Sequence, residues 1–277
     1  MLTATMIVLS VLVLLLAVYL ICLAPCGKRG ERFRPFEEVY IAHRGFFDNK
    51  GPAPENSLAA FAAATERGYG IELDVQLTRD GYLVVFHDGN LKRMCGVDRE
   101  VEECTYEELC RYTLASSQEK IPLFSEALAV IGGKVPLIVE IKNSPKWREA
   151  SEETAKLLDT YTGIYCLESF GPRIVAWYRK NRPDVIRGQL STNYFKDEPE
   201  MRFWHKLWLT NLLYNVKAKP DFIAYHHIHK NQFSYRLLRK LFRVKNVAWT
   251  IKNQEQLEAA KDVFTCMIFD SFTPDEQ

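Results

Sequence analysis

Two short segments of the chain each gather charged side chains on one face of what reads as a β-strand. In Ile71-Glu72-Leu73-Asp74-Val75 a period of two puts Glu72 and Asp74 together, opposite apolar residues suited to packing beneath helices. Pro136-Leu137-Ile138-Val139-Glu140-Ile141-Lys142 repeats the arrangement, with Glu140 and Lys142 opposite Leu137, Val139 and Ile141. Charges on the inner face of a buried strand are costly unless they are paired or bound to a metal. A salt bridge from Lys142, or a strand end open to water, would account for one such strand. Two of them, converging Glu72, Asp74 and Glu140, point to a cation, and all-oxygen ligation suits Mg2+ or Ca2+ rather than zinc. His43, in His43-Arg44-Gly45, and His87, in His87-Asp88, each follow a β-rich run. A lone histidine is more often a surface or core residue than a catalyst. Two imidazoles beside a cation can divide general-base and general-acid work near neutral pH.

The elements that would position these groups alternate between β-rich and helical runs. Candidate strands lie at 39–43, 70–75, 82–87, 137–142, 164–168, 186–190, 221–225, 247–251 and 266–270, and helix-like segments at 57–67, 147–161, 173–181 and 254–261. Such alternation predicts an α/β fold with a parallel sheet. Asp80-Gly81 suits a two-residue hairpin turn, which cannot join parallel strands. The return arm at 82–87 is then an extra strand, which leaves eight for a (β/α)8 barrel. With that turn, Asp74 faces His87 and shares its side with Glu72; a three-residue loop would put Phe86 opposite Asp74 instead. Barrel chemistry gathers at the C-terminal ends of the strands, where both histidines fall.

In order and spacing, His43-Arg44-Gly45, Pro54-Glu55-Asn56-Ser57, Glu72-Leu73-Asp74-Val75, Thr78-Arg79-Asp80-Gly81, His87-Asp88 and Glu140-Ile141-Lys142 resemble the signature of the glycerophosphodiester phosphodiesterase family. Ser169-Phe170 and Trp249-Thr250-Ile251 agree, and the resemblance runs from Tyr40 onward. It implies a TIM-type barrel, within the phospholipase-C-like phosphodiesterase superfamily, binding one divalent cation through Glu72, Asp74 and Glu140. It also implies His43 and His87 as the acid/base pair, with Arg44 and Lys142 on the phosphate and Glu55 and Trp249 beside the substrate. The expected reaction is hydrolysis of a glycerophosphodiester to glycerol 3-phosphate and an alcohol, the nucleophile being water or a neighbouring glycerol hydroxyl. A lysophospholipase D activity on membrane lysophospholipids comes second, and a catalytically silent phosphodiester-binding membrane protein third. The family's small insertion after the His-Asp motif corresponds to 88–121. The family often closes with Thr-Asp-x-Pro, whereas this chain has Phe269-Asp270-Ser271-Phe272-Thr273-Pro274.

The remaining features concern location and partners. Residues 2–24 carry no charge and as a helix would reach roughly 34 Å, enough for a hydrocarbon core of about 30 Å. No Lys or Arg precedes the run, so it reads as an uncleaved transmembrane anchor rather than a signal peptide or a buried core helix. A charged linker is expected at 25–38 and the barrel at 39–277. Lys28, Arg29, Arg32 and Arg34 after the span predict a single-pass protein of the cell membrane with its catalytic domain in the cytoplasm. The cysteines have neither disulfide-framework nor zinc-finger spacing. Lys+Arg 36 against Asp+Glu 35 gives a net charge of +1, which argues against nucleic acid as a partner. No feature specifies an oligomeric state. His226, His227 and His229 have a spacing that could hold a metal but read first as a polar strand end or loop. The aromatic, basic stretch 195–219 reads as an outer barrel helix, with a membrane-touching lid as the alternative.

Overall fold

A computed structural model describes residues 2–27 and 29–275, so Lys28 and Gln277 lie outside the described residues. Among the described residues, nine strands form one closed sheet: β1 (Ile41–His43), β2 (Gly70–Leu77), β3 (Leu83–Val85), β4 (Leu137–Ile141), β5 (Tyr165–Ser169), β6 (Arg187–Ser191), β7 (Phe222–His226), β8 (Lys245–Ile251) and β9 (Cys266–Phe269). Their order is β1-β9-β8-β7-β6-β5-β4-β2-β3, and parallel pairing of β1 with β2 closes the barrel. Eight strands are parallel and β3 runs antiparallel to β2, so the (β/α)8 expectation and the extra hairpin arm both hold.

The helices are α1 (Leu2–Leu23), α2 (Arg34–Glu37), α3 (Leu58–Glu66), α4 (Lys92–Cys95), α5 (Tyr106–Leu109), α6 (Phe124–Ile131), α7 (Trp147–Leu158), α8 (Pro172–Asn181), α9 (Tyr194–Asp197), α10 (Phe203–Thr210), α11 (Asn215–Ala218), α12 (Phe233–Phe242) and α13 (Gln254–Lys261). The strands' outward side chains, among them Leu73, Val75, Val139 and Ile141, pack with helix residues such as Phe61, Phe124 and Ile174 in the largest apolar cluster. A second cluster fills the lower half of the barrel with Ile138, Phe222, Val247 and Ile268. The stretch expected as a linker contributes to it: Phe33 and Phe36 are buried there, with the Phe33 ring 4.6 Å from that of Phe222. The insertion after His87-Asp88 folds around its own small cluster, which includes Leu91, Val101, Leu109 and Ile121.

The hairpin differs from the two-residue expectation. Val75, Gln76 and Leu77 pair with Val85, Val84 and Leu83, and the Phe86 N–H donates to the Asp74 carbonyl. The loop therefore has three residues, 79–81, and Phe86 rather than His87 lies opposite Asp74. Side-chain bonding selects this closure. Asp80 accepts from the Thr78 hydroxyl and the Tyr106 N–H, Thr78 Oγ1 accepts from the Tyr82 N–H, and Gly81 supplies φ +86°.

Candidate active site

Each functional side chain comes from the C-terminal end of a strand or the loop that follows it. Along β2 and β4 the period of two turns Glu72, Asp74 and Glu140 inward, and the register sets Asp74 beside Glu140. All three are buried, and one carboxylate oxygen from each lies within 4.8 Å of the others. After β1 the chain reverses through Arg44, at φ +57°, and Gly45, at φ +83°. A Cβ on Gly45 would sit 2.8 Å from the Ala60 backbone, so α3 can pack this close only against glycine. The turn aims the Arg44 N–H at Glu72, at 3.1 Å, and lets its carbonyl accept from the Asn56 N–H. Asn56 reaches Asp74 Oδ2 at 2.8 Å, while Ser57 caps α3 through the Ala60 N–H.

His87 enters by a route that strand pairing did not predict. β3 ends at Val85, and Gln76 Nε2 donates to the carbonyls of both Phe86 and Asp88, which fixes His87 between them at the cavity. His87 Nδ1 lies 2.6 Å from Asp88 and His43 Nδ1 lies 2.8 Å from Asp270. Each carboxylate can only accept, so each holds a proton on Nδ1 and leaves Nε2 for the site. Burial, then the Arg44 charge, hold the His43 pKa below the ordinary imidazole value. Asp270 occupies the closing segment that departs from the family's usual pattern, and its role was not foreseen.

The electrostatics are dominated by acids. Burial, followed by repulsion from Asp74, Glu140 and Glu168, raises the Glu72 pKa well above the ordinary carboxyl value. Burial, against the pull of Lys142 and with added repulsion from Asp74, raises Glu140; burial with repulsion from Glu140 and Asp74 raises Glu168. Asp74 is lowered against its burial by Lys142, His87 and Arg44. Lys142 bridges Asp74 at 3.0 Å and Glu140 at 2.9 Å, so the salt bridge considered from sequence does form. It is insufficient: four buried carboxylates, Glu72, Asp74, Glu140 and Glu168, face two cations, Arg44 and Lys142. Glu168 Oε2 is buried without a hydrogen-bond partner. A hard divalent cation fits both the all-oxygen donor set and the missing charge. Glu168 escaped the sequence reading, although Cys166 and Glu168 on one face of β5 follow the same period of two.

Around the acids the cavity is lined by Phe170, Leu190, Trp249 and Ile268. Trp249 Nε1 is buried without an acceptor, and its ring stacks on His226 at 4.7 Å. Glu55 sits behind the site, bound to Arg44 at 2.6 Å and to Arg93 at 2.7 Å. Against burial, Arg93 and Arg44 lower its pKa to about 2. His226 ends β7 and His227–His229 form a turn, as a strand end should. His226 and His229 also meet Asp197 of α9, at 3.4 and 3.0 Å, with donor atoms close enough to hold a cation. The sequence separation from Asp197 hid that convergence.

Comparison with known proteins agrees with this geometry. The model of the glycerophosphoryl diester phosphodiesterase family matches residues 43–271. YhdW of Bacillus subtilis (strain 168) is 29% identical over 224 residues, covering 78% of this chain and 86% of YhdW. A glycerophosphodiester phosphodiesterase of Bacillus altitudinis is 41% identical over 125 residues, 42% of this chain and 50% of that relative, so this match spans half the relative's length. Among solved structures, an Oleispira antarctica phosphodiesterase in complex with the product sn-glycerol-3-phosphate aligns with a TM-score of 0.66 and 23% identity, over 84% of this chain and 92% of that one. At that identity the likeness establishes the shared barrel.

Proposed function

This chain belongs to the glycerophosphoryl diester phosphodiesterase family, and on that premise we propose that it hydrolyses glycerophosphodiesters to glycerol 3-phosphate and an alcohol with the help of one divalent cation. The observation that carries the reading is the meeting of three buried carboxylates with two imidazoles, each tied through Nδ1 to its own acid. A binding module would need no such oriented pair. Glu72, Asp74 and Glu140 would hold the cation, Mg2+ or Ca2+, which when bound supplies positive charge to the phosphate oxygens.

Arg44 and Lys142 bind the phosphate, with Glu55 holding the Arg44 guanidinium in place. Of His43 and His87, one takes the nucleophile's proton at Nε2 and the other returns a proton to the leaving alcohol. Trp249 and Phe170 form an apolar wall against the non-reacting part of the substrate. The anchor reading belongs to the same proposal: the apolar run expected at residues 2–24 crosses the cell membrane once through the part that stands clear of the barrel, and the barrel lies in the cytoplasm, supported by the arginines that follow the run.

Glycerol 3-phosphate release from glycerophosphocholine by the full chain, with Mg2+, Ca2+ or EDTA, tests the reaction. Turnover that needs the cation and falls about 10²–10⁴-fold in His87→Ala is expected, the span of general acid–base catalysis. Unchanged turnover in that variant, or in EDTA, would sink the assignment.

A further inference from the structure

The apolar helix does not simply hang from the barrel; its last turns are built into the barrel wall. The Leu23 carbonyl accepts from Asn215 Nδ2 at 2.9 Å, the Ala24 carbonyl from Lys219 Nζ at 2.8 Å, and the Cys26 N–H donates to the Pro220 carbonyl at 2.8 Å. These partners immediately precede β7, at the barrel's N-terminal end. Farther back along α1, the Tyr19 hydroxyl donates to Ser234 at 2.7 Å, and Ser234 donates to Asn211. Ser234 opens α12 and Asn211 caps α10, both beyond the C-terminal ends of β6 and β7. Followed from residue 26 back to residue 19, the chain climbs from the floor of the barrel to its catalytic rim. Residues 4–18 then continue past it, exposed throughout.

The rim on that side carries a concentration of exposed apolar surface. Outside α1, nine large hydrophobic residues are exposed among the described residues, and six of them lie here: Phe195, Phe203, Trp204, Trp208, Ile228 and Phe233. Trp204 is 68% exposed and Phe233 71%. Lys196, Arg202 and Lys206 are interleaved with them, the mixture of aromatic and basic side chains that suits a headgroup layer. The patch adjoins the site through a chain of contacts. Trp249 of the cavity stacks on His226, His226 meets Asp197 of α9, and Phe195 of α9 packs on Phe203, 5.8 Å between ring centres.

We propose that α1 holds the barrel with its catalytic mouth against the bilayer and sinks Phe203, Trp204 and Trp208 into the headgroup layer, so that the site draws on glycerophosphodiesters carrying an acyl chain at the membrane surface. Exposure along α1 supports a flush seat. Residues 19 and 20 are partly buried at the rim and residues 4–18 are exposed, so the apolar surface that lipid would cover starts at the rim itself. The substrate class rests on the proposed phosphodiesterase reading, and the seat rests on α1 spanning the bilayer.

The test places the full chain in phosphatidylcholine–phosphatidylglycerol vesicles whose acyl chains are brominated near the headgroup, and follows tryptophan fluorescence before and after alkaline carbonate extraction. The expected result is a chain that resists extraction, is quenched by the brominated lipid, and loses most of that quenching in Trp204→Phe/Trp208→Phe. A chain that stays in the vesicles but whose quenching is absent, or unchanged in the double variant, overturns the seat while leaving the span intact. Release by carbonate overturns the span and the seat together. None of these readouts depends on turnover, so failure of the phosphodiesterase reading would show separately, in glycerol 3-phosphate release. Once seating is observed, equal kcat/KM of the double variant and the parent on vesicle-borne lysophosphatidylcholine would overturn the substrate class; a severalfold loss there, with glycerophosphocholine turnover kept, is the outcome expected.

Discussion

The two sides of the barrel mouth differ in what they place there. The side built by β1, β2, β4 and β5 brings buried carboxylates, two cations and His43 to the cavity, and nearly every polar atom is tied to a neighbour across the sequence. The side built by β6, β7 and β8 brings Leu190, Trp249 and a rim of exposed aromatic residues, with His226 and His229 turned toward Asp197. Bond-breaking chemistry needs fixed charge, which a low-dielectric wall makes strong and rigid hydrogen bonding keeps in place. Holding the remainder of a substrate, or a lipid surface, needs area rather than charge. On the proposed reading, catalysis belongs to the first side and recognition to the second.

The largest effect expected on that contrast comes from Glu72→Gln. Removing one of the three clustered carboxylates should lower kcat for glycerophosphocholine by roughly 10²–10³-fold, the scale of losing one preorganised electrostatic group. It should also abolish the rise in thermal midpoint that Mg2+ or Ca2+ gives the parent protein. A variant with full kcat and an unchanged midpoint rise would erase the division between the two sides. Asp270→Asn should cost less, roughly tenfold in kcat, because it acts through His43. Asp270 raises the His43 pKa, so its loss should also move the limb of the pH–rate profile that belongs to His43 toward lower pH, a shift that damage to the fold would not produce. The smallest effect is expected opposite the acids. Trp249→Phe should raise KM a few-fold and leave kcat within about twofold, the mark of binding shared by ground and transition states. A collapse in kcat instead would place catalytic work on the aromatic side.

Much of the acid side was legible from the sequence because a strand's period of two is local. Glu72 with Asp74, and Glu140 with Lys142, could be put on common faces from adjacent residues, and the helix-breaking glycines and prolines located the strands that carry them. His87 was placed near Asp74 for a reason that fails in detail. The expected two-residue turn gave way to a three-residue loop, and Gln76 rather than strand register brings the imidazole in. Asp270 was missed because its relation to His43 crosses nearly the whole chain, and the unusual closing segment offered no local pattern to read. Glu168 was missed although β5 shows the same alternation.

By itself, then, the sequence determined the alternating strand and helix runs, the inward acids, the family resemblance and an apolar helix long enough to cross a membrane. Each follows from near-neighbour periodicity, or from ordered motifs whose spacing survives without knowledge of contacts. Only the tertiary structure decided that Asp270 orients His43, that Phe33 and Phe36 of the expected linker close the barrel floor, that Asp197 joins His226 and His229, and toward which end of the barrel α1 points. Those outcomes depend on closure of the sheet, which brings residues tens to hundreds of positions apart within bonding distance, and closure is a property of all eight parallel strands together.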